Sequence, residues 1–405
     1  MRRDIAALVT AVYATETSTP SEDLDAQDRH LLSSLHGAYM RSGAGLQRNA
    51  DRETLRVASD ELSGICTAAQ DTFIEPEEGV WFERSELAGI PGRLLATMVE
   101  DGTRVQVTFR KDHVTAVMRH AISGDTRRRF TVANWHRLPE NVKRLAKAVA
   151  LRDEIARLLG FEHHGALRTE IRMARSVAHV KAQLEDLHER VRPVAQAETD
   201  RLLELKKNDP PNGDASELYE WDKGYYLYKQ TRDNLSVDHS LLAEYFEAGH
   251  TLHGMLTLFH DLFGIDFEPV VTSVWHDTVV PYQVWDTASE GALDMDTTEL
   301  WNSTKRRILT TSSGHDPQAW GAGQARFVHM FRHNDAGYFS YPLSMAYAAD
   351  LFAAAFAKDP MSAAAGRRWR YQVLEPGASR PEMGILKDFL GREPSIQAVL
   401  DELGA

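Results

Sequence analysis

The 405-residue sequence is 43% hydrophobic and 26% charged, the make-up of a folded globular protein rather than a collagen-like, low-complexity or disordered chain. Acidic side chains outnumber basic ones 59 to 46, for a net charge of −13. A phosphate backbone would repel such a chain unless it met a strong local basic patch, and the run Arg127-Arg128-Arg129 is too short to supply one, so nucleic acid is excluded as a partner.

In chain order, Met1-Arg2-Arg3-Asp4 followed by apolar Ile5 to Tyr13 has the outline of a short signal peptide. Asp4 in the charged part favours the first helix of the fold instead. Cys66 is the one cysteine, which rules out an internal disulfide, a Cys-based zinc site and an iron–sulfur cluster, and suits a reducing, cytoplasmic setting. Val105, Val107 and Phe109 alternate as a strand does. Leu151, Ile155, Leu158 and Leu159 share a helix face. Val180, Leu184, Leu187, Val191 and Val194 repeat like a coiled-coil seam with a kink at Pro193. Asn208 to Asp214 reads as a loop by its turn chemistry.

Further on, Leu252, Met255, Leu256, Phe259, Leu262 and Phe263 form an apolar stripe that stops at Gly264. Val280, Tyr282 and Val284 alternate as a second strand. The apolar run from Ala346 to Ala357 is interrupted by Asp350 and falls short of a membrane span. Ile396, Val399, Leu400 and Leu403 mark a last helix. The reading is a mostly helical protein with a small β element, in two halves at 1–150 and 151–405. The sequons at Asn234 and Asn302 are chance-level patterns.

Several phrases carry a resemblance. They include Gly79-Val80-Trp81-Phe82, Glu86 through Pro91, Leu158-Leu159-Gly160-Phe161 and Trp221-Asp222 before Tyr225-Tyr226. Asp335-Ala336-Gly337-Tyr338, Gly366-Arg367-Arg368 with Arg370-Tyr371, and Asp388 through Pro394 follow in collinear order. Together the chain resembles the M3 family of zinc oligopeptidases, the thimet oligopeptidase and neurolysin group. The resemblance implies a zincin-like helical fold with a substrate cleft between a lid-like half and a catalytic half.

That family holds zinc with His-Glu-x-x-His, whose histidines share one helix face while the glutamate activates the bound water. The 405 residues contain no such motif. The family's sheet strands and zinc helix would fall between Asp286 and Trp320, where little chain remains. The expectation is therefore a shortened catalytic half with its junction near 287–300, and with the catalytic sheet and zinc helix largely deleted. No metal and no other cofactor are expected. His250 with His253, and His329 with His333, have helical spacing but lack the third ligand and the base.

Carried over from the family, His329, Tyr338 and Tyr341 match its cleft residues. Asn334 stands where the family has its oxyanion-binding tyrosine, and Arg332 and His333 stand where it has glycines. The substrate-binding candidates are Trp275, His329, Asn334, Tyr338 and Tyr341; the catalytic candidates are His276, His329, Tyr338 and Tyr341. Packing aromatics between two helices is an equal reading of His329, Tyr338 and Tyr341. Three functions stay open. The chain is a pseudopeptidase that keeps a cleft for a peptide or small molecule, a repurposed metal-independent enzyme for a cyclisation or isomerisation step, or a zinc oligopeptidase whose catalytic block was lost to a wrong gene model. Losing the block would strip the strand around Tyr282 of its neighbours, which predicts a homodimer through it or a helix laid over it.

Overall fold

The computed structural model describes residues 3–73, 78–174, 176–209, 216–235, 248–270, 282–286, 328–332 and 335–405. They are mostly helical, as expected, with five short strands. The chain divides into two bodies. One comprises Met1–Arg52, His239–Thr297 and Ser340–Glu402; the other comprises Glu53–Asp238, Thr298–Phe339 and Leu403–Ala405. Among the described residues, no helix is long and apolar enough to cross a membrane.

In the second body, most of α3 (Asn49–Asp71) leads to a three-stranded antiparallel sheet of β1 (Gly79–Glu83), β2 (Val99–Asp101) and β3 (Arg104–Thr108), ordered β1-β3-β2. A short helix, α4 (Gly92–Leu95), lies between β1 and β2. The alternation at Val105 and Val107 is the inward face of β3, buried with Phe82, Leu87, Val117 and Phe130. Gly79 pairs opposite Thr108. A Cβ there would lie 2.5 Å from the Val107 carbonyl oxygen, so only glycine lets the two strands close at that end. Gly89 has φ +95°, and a Cβ on it would lie 2.2 Å from the His120 carbonyl oxygen.

The helices α5 (Lys111–His120), α6 (Gly124–Trp135), α7 (Glu140–Leu158), α8 (His164–Thr169), α9 (Val177–Lys207) and α10 (Glu220–Leu235) complete this body. The seam predicted from Val180 to Val194 is the less exposed face of α9, a helix of 31 residues that continues through Pro193.

Its centre is a buried charge network. The Arg127 side chain is 0% exposed and donates to Asp222 Oδ1 at 2.7 Å. It also donates to the carbonyls of Trp221, Ala121 and Ile122, and it stacks 4.3 Å from the Tyr225 ring. Asp222 Oδ2 accepts from Lys206 Nζ at 2.8 Å, and Lys206 also donates to the Glu217 carbonyl. Arg127 comes from α6, Lys206 from α9 and Asp222 from α10, so one carboxylate fixes how three helices meet. The first arginine of the basic run is therefore internal, while Arg128 pairs with Asp125 on the surface.

In the first body, α1 (Arg3–Ser18) and α2 (Ala26–Arg41) pair, with Tyr13 stacked on His36 at 4.0 Å. α11 (Ala248–Phe263) ends at Gly264, whose φ of +67° is the left-handed cap expected there. It runs into β4 (Ile265–Pro269), which pairs antiparallel with β5 (Tyr282–Asp286). The strand around Tyr282 thus has a neighbour along its length in β4, which the sequence reading did not supply.

α12 (Ser340–Ala355), α13 (Ala363–Trp369), α14 (Glu382–Leu390) and α15 (Gln397–Leu403) complete the described chain. A Cβ on Gly366 would lie 2.4 Å from the Leu262 carbonyl oxygen, so glycine lets α13 meet the end of α11. Arg370 donates to the Phe263 carbonyl at 2.6 Å and so caps that end. Asp350, the interruption of the apolar run, is 3% exposed. It accepts a fork from Arg392 at 2.6 and 2.7 Å and the Ser395 N–H at 2.8 Å.

Replacing Asp222 with alanine leaves Arg127 and Lys206 buried without their counter-charge. The expected loss of stability is about 3–5 kcal/mol, read from urea denaturation, whereas Asp125→Ala on the surface changes it by less than about 1 kcal/mol.

Candidate functional site

The segment that the resemblance marks as a substrate loop is held at both ends. At one end, Val328–Phe331 forms a single 3-10 turn. Phe331 is 2% exposed and packs with Ala69 and Leu145, and Cys66, Phe73 and Met330 lie against this cluster. Its carbonyl accepts a hydrogen bond from Gln70 Nε2 at 3.1 Å. At the other end, the Asp335 side chain is buried among cations. Arg152 Nε lies 3.0 Å from Oδ2, and Arg168 Nη2 lies 3.6 Å from Oδ1. His164 Nε2 also contacts Oδ2. An ionised carboxylate can only accept, so that contact places the His164 proton on Nε2.

Burial opposes ionisation of Asp335, but the His164 hydrogen bond and the Arg152 and Arg168 charges outweigh it and hold the carboxyl below the ordinary range. A carboxylate so depressed, with both oxygens engaged, is a poor proton acceptor. Asp335 is an anchor rather than a general base. Gly337 lies over Arg172, where a Cβ would fall 2.7 Å from a guanidinium nitrogen. Burial and the Arg168 charge pull Arg172 below the usual guanidinium range.

Flanking these anchors, His329 and Tyr338 come together, with ring centroids 6.5 Å apart and tilted by 56°. Both are half-buried. Tyr341 lies on the first turn of α12, in the other body. Trp275, His276, His333 and Asn334 lie outside the described residues. The sequence reading missed Arg152, His164, Arg168 and Arg172. These come from α7, α8 and the turn that follows, on either side of Leu158-Leu159-Gly160-Phe161. That phrase marked the place but not the partner, since His164 and Asp335 are 171 residues apart.

Cys66 Sγ sits 3.9 Å from Arg152 Nη2. Burial pushes the thiol up, with Arg152 acting the other way, so it is not an activated nucleophile. Among the described residues, no cluster of three His, Cys, Asp or Glu side chains is placed to hold the zinc that the resemblance implies. His250 and His253 are exposed on α11. The one His-Glu pair in the sequence, His188-Glu189, has Arg192 where the second histidine would stand.

The described residues define a helix-rich protein in which Asp335, beside the aromatic Tyr338, is held by Arg152, Arg168 and His164. The sequence profile of Peptidase family M3 matches residues 117–295 and 288–405, and the chain belongs to that family. It is similar to two oligopeptidases of Diaporthe leptostromiformis. It is 23% identical to Oligopeptidase PhomG', over 98% of this chain and 47% of that protein. It is 29% identical to Oligopeptidase PhomG, over 70% of this chain and 42% of that protein. Similarity to saccharolysin of Saccharomyces cerevisiae is 29% identity over 61% of this chain and 37% of that protein. The chain spans less than half the length of these curated relatives.

A carboxylate with a depressed folded pKa stabilises the fold above its unfolded value, near pH 4, and that stability is lost as pH falls through the folded value. Asp335→Asn is therefore expected to be less stable than the parent at pH 7. The difference should shrink as both are titrated below about pH 4, followed by denaturant midpoints at each pH. A constant difference down to pH 2 contradicts the anchor.

Proposed function

We propose that this chain is an M3 homologue that binds a peptide or small molecule in a helical cleft and does not hydrolyse peptides by the family's zinc chemistry. The observation that carries the reading is the missing His-Glu-x-x-His in a chain whose family match spans the flanking regions. Support comes from the way the match is divided. Its two stretches meet at residues 288–295, within the junction read at 287–300. The alignment to Oligopeptidase PhomG' runs over 579 positions against a chain of 405 residues, so the relative carries positions with no counterpart here.

The physical argument is that zinc hydrolysis needs three parts at once. A tripodal donor set holds the ion, a carboxylate takes a proton from its water, and donors meet the developing oxyanion. The sequence offers no motif for the first two, and Asn334 replaces the tyrosine that the resemblance assigns to the third. Removing one oxyanion donor slows a hydrolase by about 100- to 1,000-fold, whereas removing the ion and its base takes away the nucleophile itself. Binding needs none of these. His329 and Tyr338 bring two rings within 6.5 Å of each other. The single Cys66 supports a reducing, cytoplasmic setting.

The purified chain is expected to carry well under one zinc per molecule by plasma emission spectrometry. Quenched fluorescent oligopeptides should stay uncut, with or without added zinc. One tightly held zinc per chain together with cleavage that a chelator abolishes overturns the reading, and an in-frame His-Glu-x-x-His block in the transcript explains that result. A homodimer through the strand near Tyr282 belongs to the same proposal. Light scattering coupled to size exclusion checks it, and a monomer at all concentrations removes it.

A further inference from the structure

Away from the aromatic loop, a second feature collects positive charge in a chain that is acidic overall. An open cleft of about 570 Å³ lies between α4 and α5. Lys111, Thr115 and Arg119 line it at spacings of four, which puts them on one face of α5. That face sets Lys111 and Arg119 about 12 Å apart along the axis. Arg93 of α4 and His120 line it too. The one acid at its rim, Asp112, is engaged by Arg110 at 3.4 Å. Among the described residues, Lys111 and Arg119 have no carboxylate within ion-pair distance.

A further observation places positive charge around the cleft. Burial, then the charges of Arg119 and Arg93, draw His120 below the ordinary imidazole range. The field of both guanidiniums therefore converges on one ring, itself held edge-on to Tyr228 at 4.7 Å.

We propose that this cleft binds a short linear polyanion of the oligophosphate class, held by Arg93, Lys111 and Arg119. A single phosphate cannot reach both ends of a stripe of that length, whereas a chain of phosphates can. Guanidinium forks suit phosphate oxygens, and each such contact is charge-assisted. Leu94 is the one aliphatic side chain in the lining, so the cleft grips charge and gives little surface to an attached ring or acyl chain.

The test is calorimetric titration of the full chain with sodium tripolyphosphate in metal-free buffer, beside orthophosphate, citrate and a hexaglutamate peptide. Tripolyphosphate is expected to bind one to one, more tightly than the other three, and to weaken as salt rises. Arg93→Ala with Arg119→Ala should weaken it by about 10-fold or more. Arg201→Ala, an exposed arginine on α9, should leave it unchanged. Circular dichroism melts report whether each variant folds. In the folded parent, saturating tripolyphosphate should raise the His120 titration midpoint seen by NMR, a readout that does not depend on any variant. Absence of binding at millimolar tripolyphosphate, equal binding by the double variant, an unmoved His120 midpoint, or tighter binding of hexaglutamate each overturns the proposal.

Discussion

A carboxylate taken out of water stays ionised only if positive charge and N–H donors replace the hydration it lost. Among the described residues, this chain meets that demand at three carboxylates. Asp222 is met by Arg127 and Lys206, Asp335 by Arg152, Arg168 and His164, and Asp350 by Arg392 and the Ser395 amide. Each set joins segments far apart in sequence. Such clusters add little net stability over an apolar core of the same volume, but any shift in packing strands a buried charge. Their effect is to select one packing. Asp222 fixes how α6, α9 and α10 meet, Asp350 fixes the chain after Gly391 against α12, and Asp335 fixes the aromatic loop.

The phrases that made the family legible are, for the most part, these clamps. Trp221-Asp222 with Tyr225 is the Arg127 network. Asp335-Ala336-Gly337-Tyr338 is the loop anchor, with Gly337 leaving room for Arg172. Gly366 and Arg370 let α13 meet and cap α11. Arg392 holds Asp350. The sequence therefore spoke clearly about scaffold, because scaffold here depends on particular side chains at particular places. It also gave the helices of long apolar period correctly, since one buried face per helix is written into the spacing itself.

What stayed illegible has physical causes. β1 contributes two inward residues, Val80 and Phe82, too few for a period to emerge from five residues. β4, Ile265–Pro269, carries Asp266 and Glu268 between its apolar residues and directly follows the cap of α11, and its two apolar residues, Ile265 and Phe267, are too few to show a strand period. Without β4, the strand at Tyr282 had no visible partner. The Asp335 floor was hidden by sequence distance, since nothing local in His164 or Arg152 reveals the carboxylate they will meet. The cleft beside α5 was hidden differently. Its cations are scattered singly along the chain and converge only through the turn of the helix, so a search for basic runs passes over them.

The loop shows why scaffold and chemistry come apart. Phe331 is fixed by apolar contacts and Asp335 by charge, and neither anchor involves a metal. His329 lies just before the first anchor and Tyr338 just after the second, with their ring centroids 6.5 Å apart. Ordering side chains in advance lowers the cost of binding, because the entropy of immobilisation is spent during folding. Hydrolysis would add further requirements on top of this, namely an ion, a base and an oxyanion donor. Positioning a loop and breaking a bond are therefore separate demands on a chain, and a fold can meet the first without settling the second.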